Sequence, residues 1–350
     1  MLEATRSRAG AFELVERDRE LARLAAALDA ARSGAGATAV IEGPAGIGKT
    51  RLLASVRERG ALTGMTVLHA RGTRLERDYP MGVVRQCLEP AVRGDPDPDR
   101  LLAGAARLAE GVVLDIPVSL DAAPVGILHG LYWLTANLAE RAPLVLAVDD
   151  AHWADEPSLR FLAYLARRVE SLPVALVICT RAEEAGAEPG ALAEIRGDPA
   201  TELVEPPPLE VAGVEALLAS LDAGPVDSDF ARACHDATGG NPFLLGELVR
   251  ALRGGGVPFT AAGAPQVCEV TPPTVARTVR ATLDRLDPAA RALARATAML
   301  GDDVELDLAA ELAEVPLSET ASALADLVRV GLLEDALPLR FCHAILAGAV

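Results

Sequence analysis

The order of hydrophobic and polar positions predicts alternating strands and helices in the first part of the chain. ATAVIEG (37–43), PLVLAVDD (143–150) and LPVALVICTR (172–181) are short apolar runs typical of buried strands, and apolar residues recur at helical spacing within 16–32. Strands separated by helices form parallel sheets that are covered by helices on both faces. We therefore predict an α/β fold up to about residue 209.

After residue 209 the pattern becomes helical. We predict a helical domain over 210–266, which ends in a loop rich in Gly, Ala and Pro, and a third domain over 267–350. The α/β domain is predicted to span 1–209. With 350 residues the chain is long enough for more than one core, because single hydrophobic cores stop growing at roughly 250 to 300 residues.

Composition and charge narrow the possible functions. The formal net charge is −17, and an acidic chain is a poor non-specific nucleic-acid binder because such binding requires Lys and Arg to displace counterions. The five cysteines are scattered and form no CxxC pair, so we predict buried free thiols in a cytoplasmic protein. No uninterrupted apolar run reaches about 18 residues, and we expect no membrane-spanning segment.

The segment GPAGIGKT carries the strongest chemical signal. It fits G-x-x-x-x-G-K-[ST], with a predicted strand before it and a predicted helix after it. In such a loop, backbone N–H groups turn toward an anion and the helix N-terminus adds a positive field. The predicted nucleotide-binding residues here are Gly43, Pro44, Ala45, Gly46, Ile47, Gly48, Lys49, Thr50 and Arg51.

Lys49 is the one lysine among 33 basic residues. A compositional bias toward arginine explains the other 32, but it leaves Lys49 unexplained until a phosphate group is placed in the loop. Lysine is a compact charge on a flexible stem, whereas arginine presents a wide planar fork. We therefore predict that Lys49 lies between the β- and γ-phosphates as a catalytic residue, and that the Thr50 hydroxyl binds Mg²⁺.

Two carboxylates, Asp149 and Asp150, close a predicted strand at the sheet edge where the glycine-rich loop also lies. We predict that Asp149 binds Mg²⁺ and that Asp150 polarises the attacking water, with a capping or loop role as the alternative for Asp150. Asp is shorter than the Glu common in this role, so we expect slow hydrolysis.

Arg181, after the adjacent strand, is predicted to contact the γ-phosphate or to form a surface ion pair. His152 is interpreted as a loop hydrogen-bonding residue.

Five segments together resemble the nucleotide-binding module of STAND-class, AAA-related NTPases, and most closely that of large ATP-binding LuxR-type regulators from actinobacteria. They are FELVERDREL, GPAGIGKT, LVLAVDDAHWAD, LVICTR and TGGNPFLLGEL. The resemblance implies a P-loop NTPase that uses ATP/ADP and Mg²⁺, followed by a helical domain and a winged-helix-like domain. It also implies that these residues form the N-terminal part of a longer regulator, whose DNA-binding domain would lie in a further C-terminal part.

The same resemblance implies three more nucleotide-binding residues. Arg17 lies in a segment that usually reads GRE and borders the adenine pocket, although Glu16 stands where glycine is common. Pro242 resembles the proline that packs on the base, while the residues alone are equally consistent with a turn into a helix. His343, in RFCH, resembles the histidine that contacts the bound diphosphate, with a cap of a small hairpin as the alternative.

Winged-helix domains often bind DNA, and charge argues against that role here. Between Gly301 and Ala336 there are ten carboxylates and one arginine, Arg329, so we expect a regulatory lid without direct DNA contact. The expected function is a slow ATPase switch that is closed with ADP, open with ATP and self-associating in the ATP state. The alternatives are a fast AAA+ motor or loader, and a nucleotide-retaining interaction module without useful hydrolysis.

Overall fold

The computed structural model describes residues 14–115, 124–181, 190–220, 226–301 and 303–350. These residues form two compact units. The first, called here the sheet unit, is Arg17–Pro206, and the second, the helical unit, is Pro207–Val350 with the described residues before Arg17. The domain boundaries near 209 and 266 remain predictions.

The described part of the sheet unit contains one five-stranded sheet in the order β2-β3-β4-β1-β5, with every neighbouring pair parallel. The strands are β1 (Ala37–Glu42), β2 (Thr66–Arg71), β3 (Leu144–Asp149), β4 (Val174–Thr180) and β5 (Thr201–Val204). Because β4 lies between β1 and β3, the carboxyl ends of these strands meet at one edge of the sheet. The predicted parallel α/β fold is confirmed, and so is the predicted position of the strand that precedes Arg181.

Helices flank this sheet on both faces. The α-helices are α1 (Asp18–Arg32), α2 (Lys49–Leu62), α3 (Gly82–Arg93), α4 (Pro98–Leu101), α5 (Glu110–Val113), α6 (Pro124–Ala139), α7 (Glu156–Ala166) and α8 (Gly190–Gly197). Alternate strand residues point to opposite faces. On one face α3, α6, α7 and α8 share a core with Leu144 and Leu146. On the other face α2 packs so closely that a Cβ added to Gly60 would lie 2.7 Å from a Val145 methyl group.

Short 3₁₀ turns complete the described connections of the sheet unit. They span Arg74–Glu76, Gly104–Ala109, Ala151–Trp153 and Val169–Ser171. The turn Ala151–Trp153 follows β3 directly and leads into α7. It therefore begins at the sheet edge that carries the predicted catalytic carboxylates.

The described part of the helical unit consists of helices with two isolated antiparallel bridges. The helices are α9 (Val211–Ser220), α10 (Ser228–Thr238), α11 (Pro242–Gly254), α12 (Ala264–Val267), α13 (Pro273–Leu283), α14 (Pro288–Leu300), α15 (Leu306–Leu312), α16 (Leu317–Arg329) and α17 (Ala344–Ala347). The bridges pair Val304 with Leu339 and Leu333 with Phe341. Proline begins α11, α13 and α14, where its missing N–H costs no intrahelical hydrogen bond.

The cysteine prediction is correct for three of five positions. Cys87, Cys179 and Cys234 are buried, Cys342 is half-buried and Cys268 is exposed. Cys268 follows the short helix α12 at its C-cap, where little of the core covers it. Among the described residues, no helix combines the length and apolar character needed to cross a bilayer.

Candidate nucleotide-binding site

The loop between β1 and α2 takes its shape from glycine. Gly46 and Gly48 have φ values of 83° and 110°, a backbone region that residues with a Cβ rarely adopt. Gly48 is the N-cap of α2, so the first N–H groups of that helix have no partner within the helix. The loop thus offers backbone donors and the positive end of a helix to an anion.

Lys49 is the first residue of α2 and is buried inside this loop. Its Nζ donates to the carbonyl oxygens of Gly43 at 2.6 Å and Pro44 at 2.8 Å. Burial lowers the pKa of Lys49, and Arg181 lowers it further while Asp149 and Asp150 oppose the change. The ammonium group is therefore held among loop carbonyls and close to three of the other predicted site residues.

The two predicted metal-binding residues are in direct contact. Thr50 Oγ1 donates to Asp149 Oδ2 at 2.9 Å, and Asp149 Oδ1 accepts from the Asp150 N–H at 3.0 Å. A hydroxyl and a carboxylate are the hard oxygen ligands that Mg²⁺ prefers, and Mg²⁺ usually takes its remaining ligands from phosphates and water. No group of three or more His, Cys, Asp or Glu side chains suited to a metal is found in the described ranges.

Asp150 has an ion-pair partner that the sequence analysis missed. Arg71 ends β2 in register with Asp149, and its Nε and Nη2 donate to Asp150 Oδ2 at 3.0 and 2.7 Å. The hydrogen bond to Asp150 raises the pKa of Arg71. Asp150 has a φ of 49° at the start of the 3₁₀ turn, and its side chain makes no capping hydrogen bond. The alternative of a capping role for Asp150 is therefore not supported.

His152 lies in the same turn, and the described residues do not support its interpretation as a loop hydrogen-bonding residue. His152 is only 7% exposed, yet neither ring nitrogen has a hydrogen-bond partner within the described residues. Burial lowers the pKa of His152 to about 4, and Arg181 and Lys49 lower it further against the charge of Asp150. The ring is therefore neutral at pH 7 and lies close to the same charges as Lys49.

The remaining predicted residues of the sheet unit take different positions. Arg17 is buried and its Nη2 donates to the Ile47 carbonyl at 3.4 Å, which places it against the loop. Arg51 is exposed on the first turn of α2, and Arg181 is exposed directly after β4. Glu16 precedes Arg17 in sequence but belongs to the helical unit. At this position, where glycine is common, it adopts a φ of 55° and so keeps the left-handed backbone that glycine would favour.

Residues 13–178 match the protein family described as AAA ATPase domain. This range includes the loop, Arg71, both adjacent aspartates and His152. This part of the chain is therefore similar to AAA ATPase domains.

Solved structures share the fold of this chain at low sequence identity. The Walker-type ATPase of Pyrococcus abyssi superposes with a TM-score of 0.59 at 15% identity, covering 100% of this chain and 98% of that one. The ORC2 protein of Aeropyrum pernix, solved in complexes with ADPNP and ADP, gives 0.58 at 16% identity, covering 96% and 92%. A STAND protein of Pyrococcus horikoshii gives only 0.40 at 16% identity, covering 92% and 41%. At these identities the similarity shows the P-loop ATPase fold alone.

One curated relative is more similar in sequence. An uncharacterized protein of Rhizobium meliloti (strain 1021) is 28% identical over 202 residues, which is 48% of this chain and 18% of that protein. The match thus spans about a fifth of the relative's length.

Outside the matched ATPase domain, the helical unit brings Pro242 and His343 into one neighbourhood. Gly239 and Gly240 have φ values of 55° and 68°, and the Asn241 side chain caps α11, which begins at Pro242. A Cβ added to Gly239 would lie 2.5 Å from His343 Nδ1, so the imidazole packs directly on this glycine.

The His343 ring resembles that of His152 in its environment. Nδ1 of His343 is buried without a hydrogen-bond partner among the described atoms, and burial lowers the pKa of the ring. His343 is the N-cap residue of α17, but its side chain makes no capping hydrogen bond.

Proposed function

We propose that the chain is a slowly hydrolysing ATP switch of the STAND class, and that it regulates transcription as part of a longer LuxR-type regulator. The observation that carries the ATPase part is the convergence of Lys49, Thr50, Asp149 and Asp150 at one sheet edge. The STAND and LuxR assignments rest on the resemblance of the sequence motifs, and the match to the AAA ATPase domain supports them at the coarser level.

Each polar residue at the edge has a role that its contacts support. Lys49 binds the β- and γ-phosphates from inside the loop, and backbone N–H groups of 43–51 bind the phosphate oxygens. Thr50 and Asp149 hold Mg²⁺, directly or through water. When bound, the metal ion supplies positive charge that neutralises the phosphate oxygens.

Hydrolysis requires a water molecule opposite the leaving diphosphate. Asp150 orients this water. The water oxygen forms a bond to Pγ while the bond from Pγ to the β–γ bridging oxygen breaks. A proton of the water passes to the released phosphate. Arg181 stabilises charge on the γ-phosphate. Because Arg71 already occupies Asp150 Oδ2, one of the two oxygens that could accept from the water is engaged, which supports slow hydrolysis.

The switch part of the proposal concerns the helical unit and the partners. Pro242 and His343 are proposed contacts to the base and the diphosphate, and 267–350 is a proposed winged-helix-like lid. The helices α13–α16 with the two bridges that flank them are compatible with such a domain. The γ-phosphate must favour one state by a few kcal/mol for the switch to work. Self-association accompanies the ATP state, and the acidic surface of 301–336 supports the absence of direct DNA contact.

Nucleotide binding and turnover test the proposal directly. We expect the purified protein to bind ATP and ADP, Lys49→Ala to lose binding, and Asp150→Asn to keep binding while hydrolysing more slowly. Lys49→Arg is the matched control, since it keeps the charge but not the compact shape. Equal ATP affinity of the wild type and Lys49→Ala would overturn the site assignment.

The turnover rate separates the switch from its rivals. A rate above about 1 s⁻¹ would favour a motor or loader. Tight binding with no measurable hydrolysis would favour a nucleotide-retaining module.

A further inference from the structure

The 3₁₀ turn that carries His152 is held by its own hydrogen bonds, by packing against the end of β2 and by the Asp155 carboxylate. Its own hydrogen bonds run from Trp153 N–H to the Asp150 carbonyl and from Ala154 N–H to the Ala151 carbonyl, both at 2.9 Å. A Cβ added to Gly72 would lie 2.5 Å from the Asp150 carbonyl oxygen, so the strand end of β2 packs against the turn. The turn is therefore closely packed before any ligand binds.

The far end of the turn is held by Asp155. Its carboxylate caps α7 by accepting from Ser158 N–H at 2.9 Å, and it also accepts from Met81 N–H at 2.7 Å. This carboxylate thus joins the turn to the residues that precede α3. Because both ends are anchored, the backbone position of His152 is set by the fold.

The ring nitrogens of His152 have an unused hydrogen-bonding capacity. A neutral imidazole has one N–H donor and one acceptor nitrogen, and within the described ranges both are enclosed and unpaired. Buried polar atoms in native proteins are nearly always paired, because an unmade bond costs the full desolvation of the group. An arrangement in which a nearby group pairs this ring would remove that cost.

Asp150 is the group suited to that arrangement. It is the nearby opposite charge that opposes the effect of Arg181 and Lys49 on His152, and it lies two residues away on the same turn. In its present ion pair the Arg71 side chain is 63% exposed and the Asp150 side chain is 20% exposed, and an ion pair whose cation stays open to solvent is weakened by screening. A rotation of the Asp150 carboxylate from Arg71 to His152 would exchange this partly exposed pair for a bond that satisfies a buried nitrogen.

We propose that His152 is a positioning residue for Asp150 in ATP hydrolysis. Its ring N–H holds the Asp150 carboxylate in an inward orientation, in which the carboxylate orients the attacking water. His152 acts through Asp150 and does not itself contact the water or the nucleotide. The inference rests on the proposed ATPase function and adds a residue to its machinery.

Substitution at His152 separates this role from a purely structural one. His152→Leu removes the hydrogen bonds, and it is expected to lower kcat by about 10- to 100-fold, as misplacement of a catalytic group does, while the Kd for ATP stays within about twofold. His152→Gln keeps an N–H donor and is expected to recover most of the activity. A kcat equal to that of the wild type in His152→Leu would overturn the proposal, and so would failure of His152→Gln to exceed His152→Leu.

A double-mutant cycle tests whether the effect passes through Asp150. In an Asp150→Ala background, His152→Leu is expected to cause no further loss of kcat, because the carboxylate that it positions is absent. An equal fold-loss in both backgrounds would overturn the proposal and leave the ATPase assignment intact. A wild type that binds no ATP or does not hydrolyse it would overturn the proposed function, and this inference with it.

A spectroscopic measurement covers the case in which His152→Leu does not fold. Ring ¹⁵N resonances of the histidines are recorded for the wild type, with His152→Gln used to assign the His152 signal. Addition of Mg²⁺ and a non-hydrolysable ATP analogue is expected to shift this signal in the wild type and not in Asp150→Ala. An identical response in both proteins, or no response in either, would overturn the proposal.

Discussion

Acidification from pH 7 to pH 5 is expected to destabilise the sheet unit through His152. The pKa of this buried ring is about 4 in the folded protein, against 6.5 for the ordinary side chain. Between these values the unfolded chain binds a proton that the folded protein does not bind. The stability contributed by the neutral ring is thus fully present above pH 6.5 and is lost as the pH falls toward 4. At pH 5 the loss is about 2 kcal/mol, because each pKa unit is worth about 1.4 kcal/mol.

Urea unfolding followed by tryptophan fluorescence measures this loss. The chain has two tryptophans, Trp133 and Trp153, and both lie in the sheet unit, so the signal reports the unit that contains His152. The matched control is His152→Gln, which does not titrate. Its free energy of unfolding is expected to fall by about 2 kcal/mol less than that of the wild type between pH 7 and pH 5. All other titrating groups are common to both proteins and cancel, so equal acid sensitivity of the two proteins would refute the reasoning.

Three further predictions concern the same sheet edge. Gly72→Ala is expected to cost about 1 to 3 kcal/mol in the free energy of unfolding, since the new Cβ would overlap the turn at 2.5 Å; Gly197→Ala, with open space around it, is the control and should be nearly neutral. Thr50→Val is expected to weaken ATP binding at least about tenfold with Mg²⁺ present and much less in EDTA, with Thr50→Ser close to the wild type; equal losses in both buffers would contradict a metal-binding role. Arg71→Ala is expected to cost less than about 1 kcal/mol of stability in urea unfolding and to leave ATP hydrolysis at least as fast as in the wild type. Slower hydrolysis would show that Arg71 does not restrain the Asp150 carboxylate.

The P-loop and the Thr50–Asp149 contact were predictable because each depends on local or strongly patterned sequence. Fixed spacing defines the loop, and the helix that follows it places Thr50. An apolar strand that ends in a carboxylate places Asp149 at the carboxyl edge of a parallel sheet, where the loop also lies. The sequence places both side chains at this edge, and the order β3-β4-β1 then brings them to 2.9 Å.

Arg71 was missed because its role depends on which strands are neighbours. Arg71 lies at the end of β2, but the sequence does not show which strand lies beside β2. Only the order β2-β3-β4-β1-β5 places that end beside β3 and in register with Asp149. The environment of His152 was not predicted for a related reason. The partner of a loop histidine depends on how the surrounding turn packs, and the neighbours of His152 in sequence do not reveal an enclosed ring that finds no partner among the described residues.

The Arg71–Asp150 pair is too weak to act as the latch of a switch. Moving a two-state equilibrium from 1:99 to 99:1 requires about 5.5 kcal/mol, whereas an exposed ion pair supplies about 0 to 1 kcal/mol. An energy of about 1 kcal/mol changes a population or a rate by roughly fivefold. The pair can therefore slow hydrolysis by delaying the inward orientation of Asp150, but it cannot hold the protein in one state. A regulatory latch must instead come from contacts that differ between ATP and ADP, and in the proposed site Lys49 and Arg181 are the residues assigned to the γ-phosphate.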